Sequence, residues 1–97
     1  MTAIMISTIS VTDPKGFQDY MARTQAVARP YGAQMMFRGQ RSETLSGNAS
    51  NGDMVVVVSF PDLEALQRWH ASPEYREIIA LRDASSDQVM TAYGPMS

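Results

Sequence analysis

Hydrophobic and polar positions change period several times along the chain, and each change marks an element. Ala3 to Val11 is rich in β-branched side chains and reads as a first strand, ended by Asp13-Pro14. Asp13 is expected to cap a helix whose first residue is the proline. Phe17, Tyr20, Met21, Thr24, Val27, Ala28 and Tyr31 then recur at steps of three and four, one apolar stripe that stops at Pro30 and Gly32. Such a stripe predicts a core-facing helix. Ala33 to about Leu45 reads as a long second strand, with Met35 and Phe37 on one face and Gln34, Met36 and Arg38 on the other. Gly39 is its expected bulge. Ser46 to Asp53 holds Gly47-Asn48 and Asn51-Gly52 and predicts a hairpin connection into a third strand, Met54 to Phe60. Pro61-Asp62 ends that strand and opens a helix from Leu63 to about His70. Ser72-Pro73 breaks it: Ser72 is an N-cap, Pro73 a first helical residue, and Glu74 a carboxylate on the positive end of a helix that resumes through Arg82. Gln88 to Tyr93 supplies a fourth strand.

The order βαββαβ predicts an α+β, ferredoxin-like subunit, an antiparallel sheet with helices on one face. Met54 to Val58 is apolar at every position, where a strand with one wet face should alternate. Two helices cover only one face, so a second copy packed sheet to sheet is the expected cover for the other, with a pocket between sheet and helices or between the two sheets.

Composition narrows the function classes. Ninety-seven residues fit one domain spanning 1–97. No cysteine is present, so disulfides, thiolate nucleophiles and thiolate metal sites are excluded. A net charge of -2 offers no footprint for nucleic acid or an anionic membrane. The N-terminal segment lacks a basic flank and is broken by Ser and Thr, and no run is long enough to span a bilayer, so a cytoplasmic protein is expected.

Four side chains are candidates for chemistry. His70 is the single imidazole, beside Trp69, and a candidate general base; its place at a helix C-terminus, where the macrodipole favours imidazolium, accounts for it without further role. One His without companions makes a poor metal or haem site, and neither a metal nor a cofactor is expected. Arg38 is the stronger candidate, because a guanidinium on a strand of Met and Phe needs an anionic ligand, a pocket or an intersubunit carboxylate. The strand alternation turns it away from the helices, toward the inter-sheet side. Trp69 and Tyr75 are candidates for the pocket mouth, although aromatics at helix ends also anchor helix to sheet. Arg82, in a last helical turn, stabilises that terminus. The chain has no glycine-rich phosphate loop, nucleophile elbow or paired carboxylates. Met54 to Phe60 lacks the basic-glycine-aromatic pattern with which RNA-binding domains of this order read bases.

Val11-Thr12-Asp13-Pro14, Tyr20, Tyr31-Gly32, Phe37-Arg38-Gly39, Val57 to Pro61, Trp69, Ser72-Pro73-Glu74-Tyr75 and Arg82 together resemble the family called domain of unknown function 1330, in the dimeric α/β-barrel superfamily. The resemblance spans nearly the whole chain. It departs from the usual pattern at Ser46, where an acidic residue is general, near Asp53-Met54, where a basic residue tends to open the strand, and at His70, commonly an aromatic. It implies a homodimer paired through the sheet and no established reaction; the wider superfamily includes cofactor-independent monooxygenases, dehydratases, isomerases and haem-handling proteins. The sequence thus leaves three classes open: a binder of a small organic molecule, an anionic one if Arg38 reaches it; a cofactor-independent enzyme of monooxygenase, isomerase or dehydratase type; and a non-catalytic structural dimer. An open apolar groove, an enclosed cavity with a polar group of perturbed pKa, or a filled interface, respectively, separates them.

Overall fold

Alternation along β1 (Ala3–Val11) sets the frame: Ala3, Met5, Ser7 and Ile9 are buried, while Ile4, Ile6 and Thr8 on the other face are half-buried. The computed structural model, which describes residues 1–49 and 51–96, places β1 beside β3 (Met54–Phe60) and β4 (Ser86–Tyr93), with β2 (Gln34–Gln40) outside β3. All three pairings are antiparallel, in the order β2-β3-β1-β4. Three helices, α1 (Pro14–Ala28), α2 (Leu63–Ala71) and α3 (Pro73–Ser85), complete the α+β fold. Pairing of Met5 with Val58 and Ala92, and of Ser7 with Val56 and Met90, brings the helix-facing rows of three strands onto one side. Phe17, Tyr20 and Met21 of α1, Leu66 and Trp69 of α2, and Tyr75 and Ile78 of α3 close the core with them.

Helix boundaries follow local chemistry. Asp62 accepts a hydrogen bond from the Ala65 amide at 2.8 Å and starts α2. Asp13 occupies the N-cap position of α1, but its side chain makes no cap hydrogen bond, so only half of the expected role is realised. α1 ends in a single 3-10 turn, Arg29–Tyr31, closed by Gly32 at φ 81°, a left-handed conformation that glycine adopts without steric cost. The Ser72 hydroxyl accepts from the Tyr75 amide at 3.2 Å and donates to the Trp69 carbonyl at 2.7 Å, serving α3 and α2 at once.

The second strand departs from the sequence expectation twice. β2 stops at Gln40, not near Leu45, because Arg41 turns to close the connection. Its amide donates to the Asp53 carbonyl at 2.6 Å and its guanidinium pairs with the Asp53 carboxylate at 2.7 Å. The hairpin connection expected over Ser46–Asp53 includes Ser50, which lies outside the described residues. Gly39 stays in register opposite Val55, and the irregularity falls between Met35 and Phe37. Because side chains alternate with period two, one extra residue reverses every facing beyond it. Arg38, opposite Val56, therefore faces the helix side, and Phe37, opposite Val57, faces the open side. The alternation had assigned them the other way round. β4 begins at Ser86, two residues earlier than expected.

Candidate functional site

A cavity of about 240 Å³ separates the helix side of the sheet from α1. Met5, Val56, Val58 and Phe60 give it an apolar floor, Met21 and Ala28 an apolar roof, and Trp69 a wall. Polar groups are few. Ser7 donates to Gln88 Oε1 at 2.8 Å across the floor, and Gln88 Nε2 donates in turn to the Ser86 hydroxyl at 2.9 Å. Two enclosed polar atoms on lining residues, Trp69 Nε1 and Thr24 Oγ1, have no hydrogen-bond partner among the described residues. An enclosed polar group without a partner costs roughly 1–3 kcal/mol, so both are exceptions that folding alone does not account for.

Tyr20, also lining the cavity from α1, meets Tyr75 from α3 with their hydroxyls 2.9 Å apart. Behind them Arg82 donates through Nη1 to the Tyr75 hydroxyl at 3.1 Å and lies 6.0 Å from the centre of its ring. The Tyr75 hydroxyl also stands 3.4 Å from Met90 Sδ, part of the cavity floor. Burial first, and then the neighbouring Tyr75, push the Tyr20 phenol well above its ordinary pKa, so it stays protonated. Thr24, one helical turn on, approaches that hydroxyl without reaching hydrogen-bonding geometry. At Arg82 partial burial opposes the charge, but the hydrogen bonds with Asp83 and Tyr75 outweigh it and raise the pKa. The guanidinium therefore does more than stabilise a helix terminus.

A second cavity, also of about 240 Å³, lies beyond Trp69 beneath α2 and the edge of β4. It shares Met5, Trp69 and Met90 with the first, so the indole is a partition between the two. His70 lines this second space, its ring centre 5.3 Å from that of Tyr75. Its pKa lies below the ordinary value, through partial desolvation and then the cations Arg82 and Arg76. The helix macrodipole alone would raise it; lost water and two guanidiniums outweigh that effect.

Of the four candidates from sequence, Trp69, Tyr75 and His70 come together and Arg38 stands apart. Trp69 is 2% exposed and packs on Phe60 and Tyr75. Tyr75 is fully buried behind the cavity wall, not at a mouth. Arg38 is exposed on the edge strand, in the cross-strand row Arg38, Val56, Ser7, Met90, with no hydrogen-bond or ion-pair partner among the described residues. Sequence reasoning missed Tyr20 and Ser7. Tyr20 belongs to the apolar stripe of α1; the one available signal is a phenol in a buried stripe, whose hydroxyl needs a partner. No group of His, Asp and Glu able to hold a metal occurs among the described residues.

Fold and cavity together define a ferredoxin-like α+β domain with an apolar chamber under its first helix. The chain belongs to the family described as Domain of unknown function (DUF1330), whose pattern matches residues 2–93. Solved structures agree on the fold. A protein of unknown function from Rhodopseudomonas palustris is 19% identical with a TM-score of 0.78, over 99% of this chain and 83% of that one. SnoaB, a cofactor-independent oxygenase from Streptomyces nogalater, is 16% identical with a TM-score of 0.70, over 99% of this chain and 94% of SnoaB. A dimeric ferredoxin-like protein of unknown function from Jannaschia sp. CCS1 is 12% identical with a TM-score of 0.71, over 98% and 100%. No curated protein matches the chain. Among the described residues no helix is long and apolar enough to cross a membrane.

Proposed function

We propose that this chain binds a small organic molecule in the cavity between the sheet and α1, as a homodimer joined through the open face of the sheet. The observation that carries the binding reading is the cavity itself: it is apolar, walled by pre-formed secondary structure, and bordered by enclosed polar groups that lack partners. Native mass spectrometry against a library of small organic molecules tests it, with Ala28→Phe, which fills the cavity from its roof, as control. Adducts on the parent chain that disappear in the variant support the reading. A library without adducts, or adducts indifferent to Ala28→Phe, defeats it.

Apolar residues on the open sheet face support the dimer: Ile4, Ile6, Val55 and Val57 at its centre, with Phe37, Val89 and Tyr93 more than half exposed around them. Contiguous apolar surface of this kind marks an interface. Sedimentation should give twice 10.7 kDa, and Val57→Asp should return the monomer. Arg38 remains a candidate only for a charged group that projects past the cavity rim. A second reading, turnover of the bound molecule without a cofactor as in the oxygenase SnoaB, draws on the buried Tyr20 and Tyr75 with the half-buried Arg82 behind the cavity wall. Consumption of a bound compound by the purified protein would favour it over simple binding.

A further inference from the structure

Resting on the binding reading above, we infer that Tyr20 is the ligand-recognising hydroxyl, the last member of a chain Arg82, Tyr75, Tyr20 that presents a polarised neutral donor to a carbonyl oxygen on a fused two-ring ligand.

Proton bookkeeping gives the chain its direction. Arg82 has only donors, so the Tyr75 oxygen must accept at their 3.1 Å contact. An oxygen that accepts from a cation gives up its own proton more readily. Two acceptors lie within reach of that proton, the Tyr20 oxygen at 2.9 Å and Met90 Sδ at 3.4 Å. A phenol oxygen is the better acceptor and a thioether a weak one, so the proton is directed to Tyr20. Tyr20 then keeps its own hydrogen for another partner. Its side chain lines the cavity, where the enclosed polar atoms without a partner are the Thr24 hydroxyl and the Trp69 N–H, the latter a donor that cannot accept the Tyr20 proton. A ligand acceptor completes the chain.

The cavity sets the rest of the ligand. An apolar cavity of roughly 150 Å³ takes benzene, so one of about 240 Å³ takes two fused rings. The cation among its lining residues is Arg29, exposed at the end of α1, and the enclosed part of the wall offers a carboxylate no counter-charge. A ketone satisfies Tyr20 without bringing an unpaired charge into an apolar space.

Three probes of similar size separate these points: tetralin, which has no oxygen, 1-tetralone, which adds one carbonyl, and 1-naphthoate, which carries a carboxylate. Quenching of the sole tryptophan, Trp69 in the cavity wall, reports their binding. Tetralone should bind roughly five- to tenfold more tightly than tetralin, the worth of one polarised hydrogen bond. Tyr20→Phe should remove that advantage and leave tetralin unchanged. Naphthoate should bind more weakly than tetralone. Equal affinity for tetralin and tetralone, or an advantage that survives Tyr20→Phe, overturns the donor while the cavity stands. Failure of all three to bind overturns the cavity reading as well, and tighter naphthoate overturns the ligand class. The carbonyl stretch of bound tetralone gives a readout in the unaltered protein: it should fall below its frequency in hexane, and an unshifted band refutes the hydrogen bond. Tyr75→Phe cuts Arg82 from Tyr20 and should reduce the shift without abolishing it. An identical shift in that variant refutes the positioning role of Tyr75 and Arg82.

Discussion

Trp69 is the residue whose removal tests most of the packing at once. Its ring centre lies 5.4 Å from Phe60 and 4.6 Å from Tyr75, and the residue is 2% exposed. Truncating a core aromatic to alanine costs roughly 3–5 kcal/mol, the lost transfer energy plus the cavity left behind. Two features of this site lower the figure. The indole already borders empty space on two sides, so it has fewer neighbours to lose. Its enclosed Nε1 has no partner, and truncation relieves a penalty of roughly 1–3 kcal/mol. Trp69→Ala is therefore expected near 3 kcal/mol, at the lower end of that roughly 3–5 kcal/mol range, and Trp69→Phe, which keeps a ring and sheds the N–H, at about 1 kcal/mol or less. Urea unfolding followed by far-ultraviolet circular dichroism measures both, since each variant lacks the only tryptophan fluorophore. A phenylalanine variant as destabilised as the alanine one would mean that the N–H has a partner in solution. An alanine variant that costs nothing would remove Trp69 from the core.

Two further outcomes follow from single positions. Gly52 has φ 70° and a Cβ there would overlap the Ile9 carbonyl, so Gly52→Ala should lose more than the roughly 1–2 kcal/mol of left-handed backbone strain alone; a midpoint within error of the parent in urea would show that the loop does not sit against β1. The folded-state pKa of His70 lies below its ordinary 6.5, so the unfolded chain takes up that proton first as the pH falls. The associated stability is complete above about pH 6.5 and is lost between there and the folded pKa, so between about pH 7.5 and 5 the parent should lose more stability than His70→Gln; parallel curves for the two would refute the depressed pKa.

Element order, the broken second helix and the α+β class were legible because each rests on local chemistry. Ser72-Pro73 fixes a helix boundary wherever the chain goes, and the unbroken apolar run from Met54 to Val58 marks the strand β3. The facing of Arg38 was not legible, because it depends on a bulge between Met35 and Phe37 that no residue of the segment announces; Gly39, the conventional suspect, keeps its register. The site was half legible. Trp69 and Tyr75 stood out as large aromatics at helix ends, but the partner of the Tyr75 hydroxyl comes from a helix 55 residues away in sequence, and periodicity does not report which phenols in an apolar stripe meet. His70 was misjudged for a related reason: the macrodipole is visible in sequence, whereas the guanidiniums of Arg76 and Arg82 reach it only through folding.

The shared hydroxyl of Ser72 also bears on how a guest could enter. By holding the Trp69 carbonyl and the Tyr75 amide on one oxygen, it couples the end of α2 to the start of α3, so the aromatic wall travels as one body and does not swing open residue by residue. Tyr20 fastens the middle of α1 to that wall through Tyr75. What remains free to yield is the C-terminal part of α1, where Thr24, Gln25 and Ala28 roof the cavity and the 3-10 turn to Gly32 follows. The cavity already reaches solvent beside its exposed lining residues Gln25, Arg29 and Met35, and fraying of that helix end widens an existing mouth. Entry of large guests should follow the local opening of amides 25–29 in hydrogen exchange, not the global unfolding of the sheet.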